Sequence, residues 1–310
     1  MAAAFLSGRC FVFNKITLFG VGLIGGSFSL ALKKAGVVGK IVGMDRSRES
    51  LERALQLGVI DEIGKSIPDA VSGADLVLLA APVAQSEAIL ASIQPYLPPG
   101  TIVTDAGSTK SDVVAAARKA MGEKIAQFVP GHPIAGREKN GPDAAVDDLF
   151  AGKKTVLTPL PENTAHDVAR VADAWQQCGA VIHQLTPYEH DCVFAAVSHL
   201  PHLLAYALVD NIVKKPTADL LFQYAASGFR DFTRIAGSSP EMWRDITLAN
   251  REMLLGMLDS YIVQLNRVRD MLEAGDGDGI QVVYANAQRA RQNWIRTIEE
   301  AEKQNKEGGD

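Results

Sequence analysis

The sequence predicts an α/β protein, with an N-terminal doubly wound, mostly parallel sheet followed by an all-helical C-terminal part. Three observations predict it. Short apolar runs alternate with helical periodicity from residue 15 to about residue 185, strand signals vanish after Pro187, and a glycine fingerprint sits at the first strand-to-helix turn.

Residues 15–19 form a short apolar run that reads as a buried strand, and residues 23–34 carry apolar side chains at helical spacing. Between them stands Gly20-Val-Gly22-Leu23-Ile24-Gly25. Gly20 permits a tight turn, Gly22 lets the backbone approach a pyrophosphate, and Gly25 lets the helix pack against the strand. The amides opening that helix, those of Leu23 and Ile24, are free to bind phosphate. A second strand over 40–44 ends at Asp45, 20 residues beyond Gly25, the spacing of the acid that binds a ribose diol. Together these features predict a Rossmann-type dinucleotide unit; a ligand-free tight turn is the bland alternative. Asp45 favours NAD over NADP, because a carboxylate repels a 2′-phosphate. Arg46 and Arg48 leave NADP open as a second cofactor, or serve as a solvated helix start.

The alternation continues with a helix over 50–57, a strand over 74–81 that meets Pro82, and a helix over 85–93. A strand over 101–104 leads into a helix over 110–121, and a strand over 127–130 runs into His132. A short helix over 142–150, a strand over 154–157, a helix over 165–178 and a last strand over 181–185 complete the series. Helices then dominate, over 188–213, 220–224, 229–234, 240–269 and 279–305. The domain reading is a loose extension at 1–14, a dinucleotide-binding domain at 15–186, a helical substrate and dimerisation domain at 187–305, and a frayed tail at 306–310.

With 310 residues, 47% hydrophobic and 22% charged, the chain has material for two globular cores. A net charge of −5 argues against a nucleic-acid or anionic-membrane partner. Three cysteines without metal-ligand spacing fit packing roles in a reducing, cytoplasmic setting. The segment at 1–14 lacks the marks of a signal peptide, and no unbroken run of about 18 apolar residues predicts a membrane span.

Pro82, Ser108 and His132 each follow an apolar strand, so a doubly wound sheet brings them to one cleft, where nicotinamide is expected. Ser108 reads either as a helix N-cap or as a hydrogen-bond partner of the cofactor or of His132. His132, before a Pro-Ile-Ala-Gly turn, is a proton-transfer candidate; the alternative is a satisfied structural histidine.

The succession GVGLIGGS, TDAGSTK, GHPIAGREKNG, AVSHLPH and GFRDFTRIAGSSPEMWRD, across roughly residues 15–300, resembles the prephenate and arogenate dehydrogenases of tyrosine biosynthesis. That resemblance implies NAD(P)-dependent oxidative decarboxylation of a cyclohexadienol, with hydride leaving ring C4 and the ring carboxylate leaving as CO2. It implies that His132 accepts the C4 hydroxyl proton, that Ser108 lies beside it, and that Arg234 grips a substrate carboxylate. His202 is implied to line the substrate pocket, with Arg230 as a second cationic candidate and Glu138 near the substrate side chain. Their ordinary alternatives stay open: an Arg234–Asp231 ion pair and a surface-exposed Glu138. His199 lies three residues before His202, a metal-compatible spacing, but no third ligand is near in sequence and no metal is expected. Trp243 and Arg244 are assigned to the pocket wall or a subunit interface. The expected protein is a monofunctional homodimer, with any inhibition by tyrosine exerted at the active site. Two other classes compete: a β-hydroxyacid dehydrogenase of the 6-phosphogluconate type, which would use a helical-domain lysine, and a noncatalytic NAD sensor. Lys214 and Lys215 sit beside Pro216 in a loop-like context, and the His132, Ser108 and Arg234 set argues against both.

Overall fold

The computed structural model describes residues 12–137 and 139–307, the last seven of these by backbone alone. Glu138, Cys10 and most of the 1–14 extension therefore lie outside the described residues, as do the last three residues of the tail.

The chain begins with β1 (Phe13–Phe19), α1 (Leu23–Ala35), β2 (Val38–Met44), α2 (Arg48–Gln56), β3 (Glu62–Ile63) and α3 (Ile67–Val71). There follow β4 (Leu76–Leu79), α4 (Ser86–Ile93), β5 (Ile102–Asp105), α5 (Ser111–Met121) and β6 (Phe128–Val129). The six strands form one parallel sheet in the order β3-β2-β1-β4-β5-β6, the doubly wound arrangement with its switch point between β1 and β4. β4 is buried along its whole length, which is why it reads as a continuous Leu-Val-Leu-Leu run rather than an alternating one. One face packs Phe28 of α1 on Trp175 with ring centroids 4.7 Å apart. The other packs Leu90, Val113 and Phe128. Full burial of such side chains contributes about 1.5–3 kcal/mol each.

The sheet stops after β6, two strands earlier than the alternation suggests. β7 (Gly131–Pro133), β8 (Lys154–Leu157) and β9 (Val181–Gln184) form a separate three-stranded sheet, with α6 (Ala165–Gln177) joining β8 to β9. β7 and β8 are antiparallel, with His132 opposite Val156. His132 thus stands on a strand of its own rather than in a turn. The helix expected over 142–150 is a single 3-10 turn, Pro142–Ala144. Ala145 is extended, and the next amide, Val146 N, donates to the Ser27 hydroxyl at 3.0 Å instead of continuing a helix.

The helical part contains α7 (Pro187–Phe194), a π-helical turn (Ala195–His199), α8 (Leu200–Val213), α9 (Ala218–Gln223) and α10 (Ser227–Thr233). α11 (Pro240–Ala249), α12 (Arg251–Ala274) and α13 (Gly277–Glu307) complete it. The helix read over 240–269 is broken at Asn250, whose side chain is diverted to the Asp191 carbonyl at 2.8 Å. α7 to α8 run as one 27-residue helix that is long and apolar enough to cross a membrane by length and composition, though polar residues such as His190, Asp191 and His199 interrupt its apolar run. Its Asp191 and His190 are bound to buried polar groups of the nucleotide-binding part, contacts that a lipid-facing helix does not make.

The chain divides into two compact units, one ending at Leu254 and the other beginning at Leu255. The second consists of the remainder of α12 and α13, and exposes Val263, Leu265, Val282, Tyr284 and Trp294.

Candidate active site

The dinucleotide cradle is built almost wholly of backbone. Gly20 has φ +100°, and a Cβ there would lie 2.5 Å from the Ala80 carbonyl oxygen. A Cβ on Gly25 would lie 2.2 Å from the Gly20 carbonyl oxygen. Both positions therefore require glycine if β1, β4 and α1 are to meet this closely. Gly22 caps α1 without a side-chain hydrogen bond, so the amides of Leu23 and Ile24 open the helix free of a competing side-chain acceptor. Asp45, just beyond β2, accepts from Val21 N at 3.2 Å on one oxygen and from Ser47 N at 2.9 Å on the other. Its carboxylate is thereby aimed while each oxygen keeps a lone pair for a ribose hydroxyl. The cradle fits NAD. Arg48 is bound to Glu52 at 2.8 Å, and Arg46 is exposed beside Asp45. Pro82 starts the 3-10 turn after β4.

The catalytic end is built of side chains. Lys110 is fully buried, pairs with Asp105 at the end of β5, and donates to the Gly131 carbonyl at 2.9 Å. Asp105 in turn accepts from Gly131 N at 3.1 Å. These bonds clamp Gly131 from both sides and so place His132. Ser108 lies half-buried in the loop between Asp105 and Lys110. It does not cap α5: the start of that helix is held by Asp191 of α7, whose two oxygens accept from Lys110 N at 2.9 Å and Ser111 N at 2.7 Å.

Asp191 also binds His190 Nδ1 at 2.8 Å, and His190 Nε2 lies 2.8 Å from His132 Nδ1. Phe194 packs against both rings, with centroids 4.9 Å from His132 and 4.4 Å from His190. Desolvation, with His190, Lys110 and His199 nearby, holds His132 well below the usual histidine range. It is therefore neutral, as a proton acceptor must be. Desolvation lowers His190 as well, outweighing the pull of Asp191.

His199 is buried on the π-helical turn, and desolvation lowers it to about 4. Its Nδ1 lies 3.0 Å from the Asn250 amide nitrogen, the same group that binds the Asp191 carbonyl. The break at Asn250 therefore serves this cluster. Pro201 has no amide hydrogen to continue the helical ladder, which accounts for the π-helical turn just before it. His202 Nδ1 lies 2.8 Å from the Ser198 carbonyl and the ring stacks on Trp243 with centroids 3.5 Å apart. That bond makes Nδ1 the donor and leaves Nε2 as an acceptor. Desolvation and the nearby Arg234 charge keep His202 low, the Ser198 carbonyl opposing them.

Arg234 lines a cavity of about 460 Å³ with Arg137, Lys139, Asp143, Ala144 and Val146. Arg53 engages Asp143 at 2.6 Å and Arg137 lies 3.8 Å from Asp148; among the described lining residues, cationic side chains outnumber carboxylates. Arg230 is exposed on α10, and Arg244 is paired with Asp245 at 2.6 Å. Among the described residues, no group of three or more His, Cys, Asp or Glu side chains could hold a metal ion.

The structure thus brings His132 together with His190 and Asp191, which the motif reading passed over. Their signal was present: an adjacent His-Asp pair, just after the Thr186–Glu189 capping box, in an otherwise apolar helix.

Family models for the nucleotide-binding domain and the dimerization domain of prephenate dehydrogenase match residues 28–184 and 186–286. The chain belongs to the prephenate dehydrogenase family. The cyclohexadienyl dehydrogenase of Zymomonas mobilis is 37% identical, over 90% of this chain and 96% of the relative. The prephenate dehydrogenase of Bacillus subtilis is 38% identical, over 86% of this chain and 72% of its own. Among solved structures, Aquifex aeolicus prephenate dehydrogenase, in complex with hydroxyphenyl propionate and NAD+, aligns with a TM-score of 0.84 at 37% identity, covering 90% of this chain and 98% of that one. Synechocystis arogenate dehydrogenase aligns with a TM-score of 0.76 at 28% identity, covering 90% of this chain and 99% of that one. Family membership makes this an NAD-using oxidoreductase and removes both the 6-phosphogluconate-type reading and the noncatalytic sensor.

Proposed function

We propose that this enzyme oxidises and decarboxylates prephenate, arogenate or both, with NAD as the preferred acceptor and NADP as the weaker one. The observation that carries the reading is the neutral His132, clamped by Asp105 and Lys110 beyond the nucleotide sheet, in a chain whose relatives act on these cyclohexadienols. The bound nicotinamide supplies the hydride acceptor. His132 takes the hydroxyl proton of ring C4 as carbonyl character develops there, and Ser108 supports the same hydroxyl. The electrons of the ring C1–carboxylate bond then enter the ring as CO2 departs.

Arg234 and His202 line the substrate side, with Arg230 and Glu138 as outer candidates. Arg137, Lys139 and Arg234 favour the more anionic substrate, so we assign prephenate the higher kcat/KM. Residues 187–305 serve as the substrate and dimerisation part of a cytoplasmic homodimer, following the domain boundary read from the sequence.

Steady-state reduction of NAD and NADP with each substrate tests this assignment. The expected result is turnover with NAD that falls about 10²–10⁴-fold in His132→Asn while NAD affinity is kept. Absence of turnover with both substrates would refute the reaction assignment.

A further inference from the structure

We infer that His190 and Asp191 are positioning residues for His132: the Asp191 carboxylate, acting through the His190 ring, holds His132 as the Nδ1–H tautomer and leaves Nε2 as its proton-accepting atom. The inference rests on His132 being the base of the proposed reaction.

The argument is one of donors and acceptors. Asp191 accepts from Lys110 N at 2.9 Å and from Ser111 N at 2.7 Å, and lies 2.8 Å from His190 Nδ1. Burial alone would raise its carboxyl, but hydrogen bonds from His190, Ser111 and Lys110 outweigh burial and hold it below the usual range. An ionised carboxylate only accepts, so His190 Nδ1 carries the hydrogen. His190 is fully buried and neutral, so its Nε2 is a bare acceptor. The 2.8 Å contact between His190 Nε2 and His132 Nδ1 then requires the hydrogen to sit on His132 Nδ1. Phe194, packed on both rings, keeps this order from being lost by ring rotation.

When substrate reacts, its O–H bond breaks and an N–H bond forms at His132 Nε2. The O–H electron pair stays on oxygen and becomes the second C–O bond as hydride leaves ring C4 for nicotinamide. His132 becomes a cation that donates through Nδ1 to His190, with the Asp191 charge one ring behind.

Adding a proton to His190 reverses the order. His190 Nε2 would then donate to His132 Nδ1, placing the remaining His132 hydrogen on Nε2 and abolishing the base. Several charged or titratable groups face this chain and set that acid limit. They are Lys110 and Asp105 from the β5–α5 segment, His199 from the π-helical turn, Asp191 from α7, and Asp112 from α5 behind Asp191. The two rings titrate as a pair.

The test uses the full-length enzyme, two variants and a direct readout. His190→Leu removes the acceptor and is expected to lower kcat roughly 10–100-fold, with NAD affinity unchanged. His190→Gln can present a carbonyl oxygen to His132 Nδ1; it is expected to recover most of kcat while the acid limb of the kcat profile moves. Nitrogen-15 NMR of ring-labelled wild-type enzyme at neutral pH is expected to show His132 protonated at Nδ1 and bare at Nε2. A bare Nδ1 would overturn the inference whatever the variants do. So would a His190→Leu enzyme with wild-type kcat and pH profile. If the wild type turned over neither substrate, the reaction assignment would fail, yet the NMR result would still decide the tautomer.

Discussion

The Gly20–Gly25 cradle and the His132 cluster are built of opposite materials. The cradle presents backbone amides and depends on the absence of side chains: a single Cβ at Gly20 would meet a carbonyl oxygen at 2.5 Å. The His132 cluster depends on side chains contributed by β5, the loop before α5, β7 and α7, with hydrogens in a set order. The cradle should therefore fail through shape and the cluster through charge.

Lys110→Met should give the largest structural effect and separates the two modes. It leaves the Asp105 carboxylate buried without its partner and the Gly131 carbonyl without its donor. Loss of one partner of a buried pair costs about 3–5 kcal/mol. Thermal denaturation should show this as a lower Tm, and kcat should fall with it; an unchanged Tm would mean that the pair does not hold β7.

Acid sharpens the comparison, because it acts on the cluster and leaves the glycines untouched. His199 titrates near 6.5 in the unfolded chain and at about 4 when folded, so its folded form binds fewer protons between those values. Its contribution to stability is complete above 6.5, declines as pH falls through the window, and is gone below about 4. The linked loss is roughly 3 kcal/mol. His132, His190 and His202, all lowered, add to it in the same direction. Urea denaturation at pH 7.5 and pH 4.5 measures the difference, and His199→Asn should flatten it.

Gly20→Ala tests the cradle by shape alone. The left-handed backbone and the close Ala80 carbonyl imply a penalty of about 1–3 kcal/mol. It should appear as weakened NAD binding in a fluorescence titration, with the pH dependence of kcat unchanged. The smallest effect is expected from Asp45→Asn, which keeps one acceptor oxygen for the bond from Val21 N or from Ser47 N and removes the charge. The NAD-to-NADP ratio of kcat/KM should fall by about tenfold, equivalent to about 1.4 kcal/mol.

Legibility in the sequence followed the same division. Gly20, Gly22, Gly25 and Asp45 are recognisable because the requirements they meet are local: a turn, a helix start, a strand end. His132 was legible as a candidate from its place after an apolar strand. Its strand was not, because three residues of β7 owe their conformation to pairing with β8, which begins more than 20 residues later. The short helix expected at 142–150 failed for a related reason: Val146 N donates to the hydroxyl of Ser27, 119 residues away, rather than to a helical partner of its own. The helix over 240–269 continued through Asn250 by periodicity, since nothing local shows that the Asn250 amide is needed at Asp191 and His199.

By itself, then, the sequence determined most strands of the parallel sheet, the glycine turn between β1 and α1, the acid at the end of β2 and the helical character of everything after Pro187. Strand and helix periodicity and glycine conformation act over a few residues, and these features need nothing more. Only the tertiary structure decided that β7 to β9 form a second sheet, that Asp191 rather than Ser108 holds the start of α5, and that His190 stands between Asp191 and His132. The second sheet pairs strands more than 20 residues apart, and the Asp191 and His190 bonds span 58 to 81 residues of chain, made by buried polar groups that must find partners wherever the fold places them.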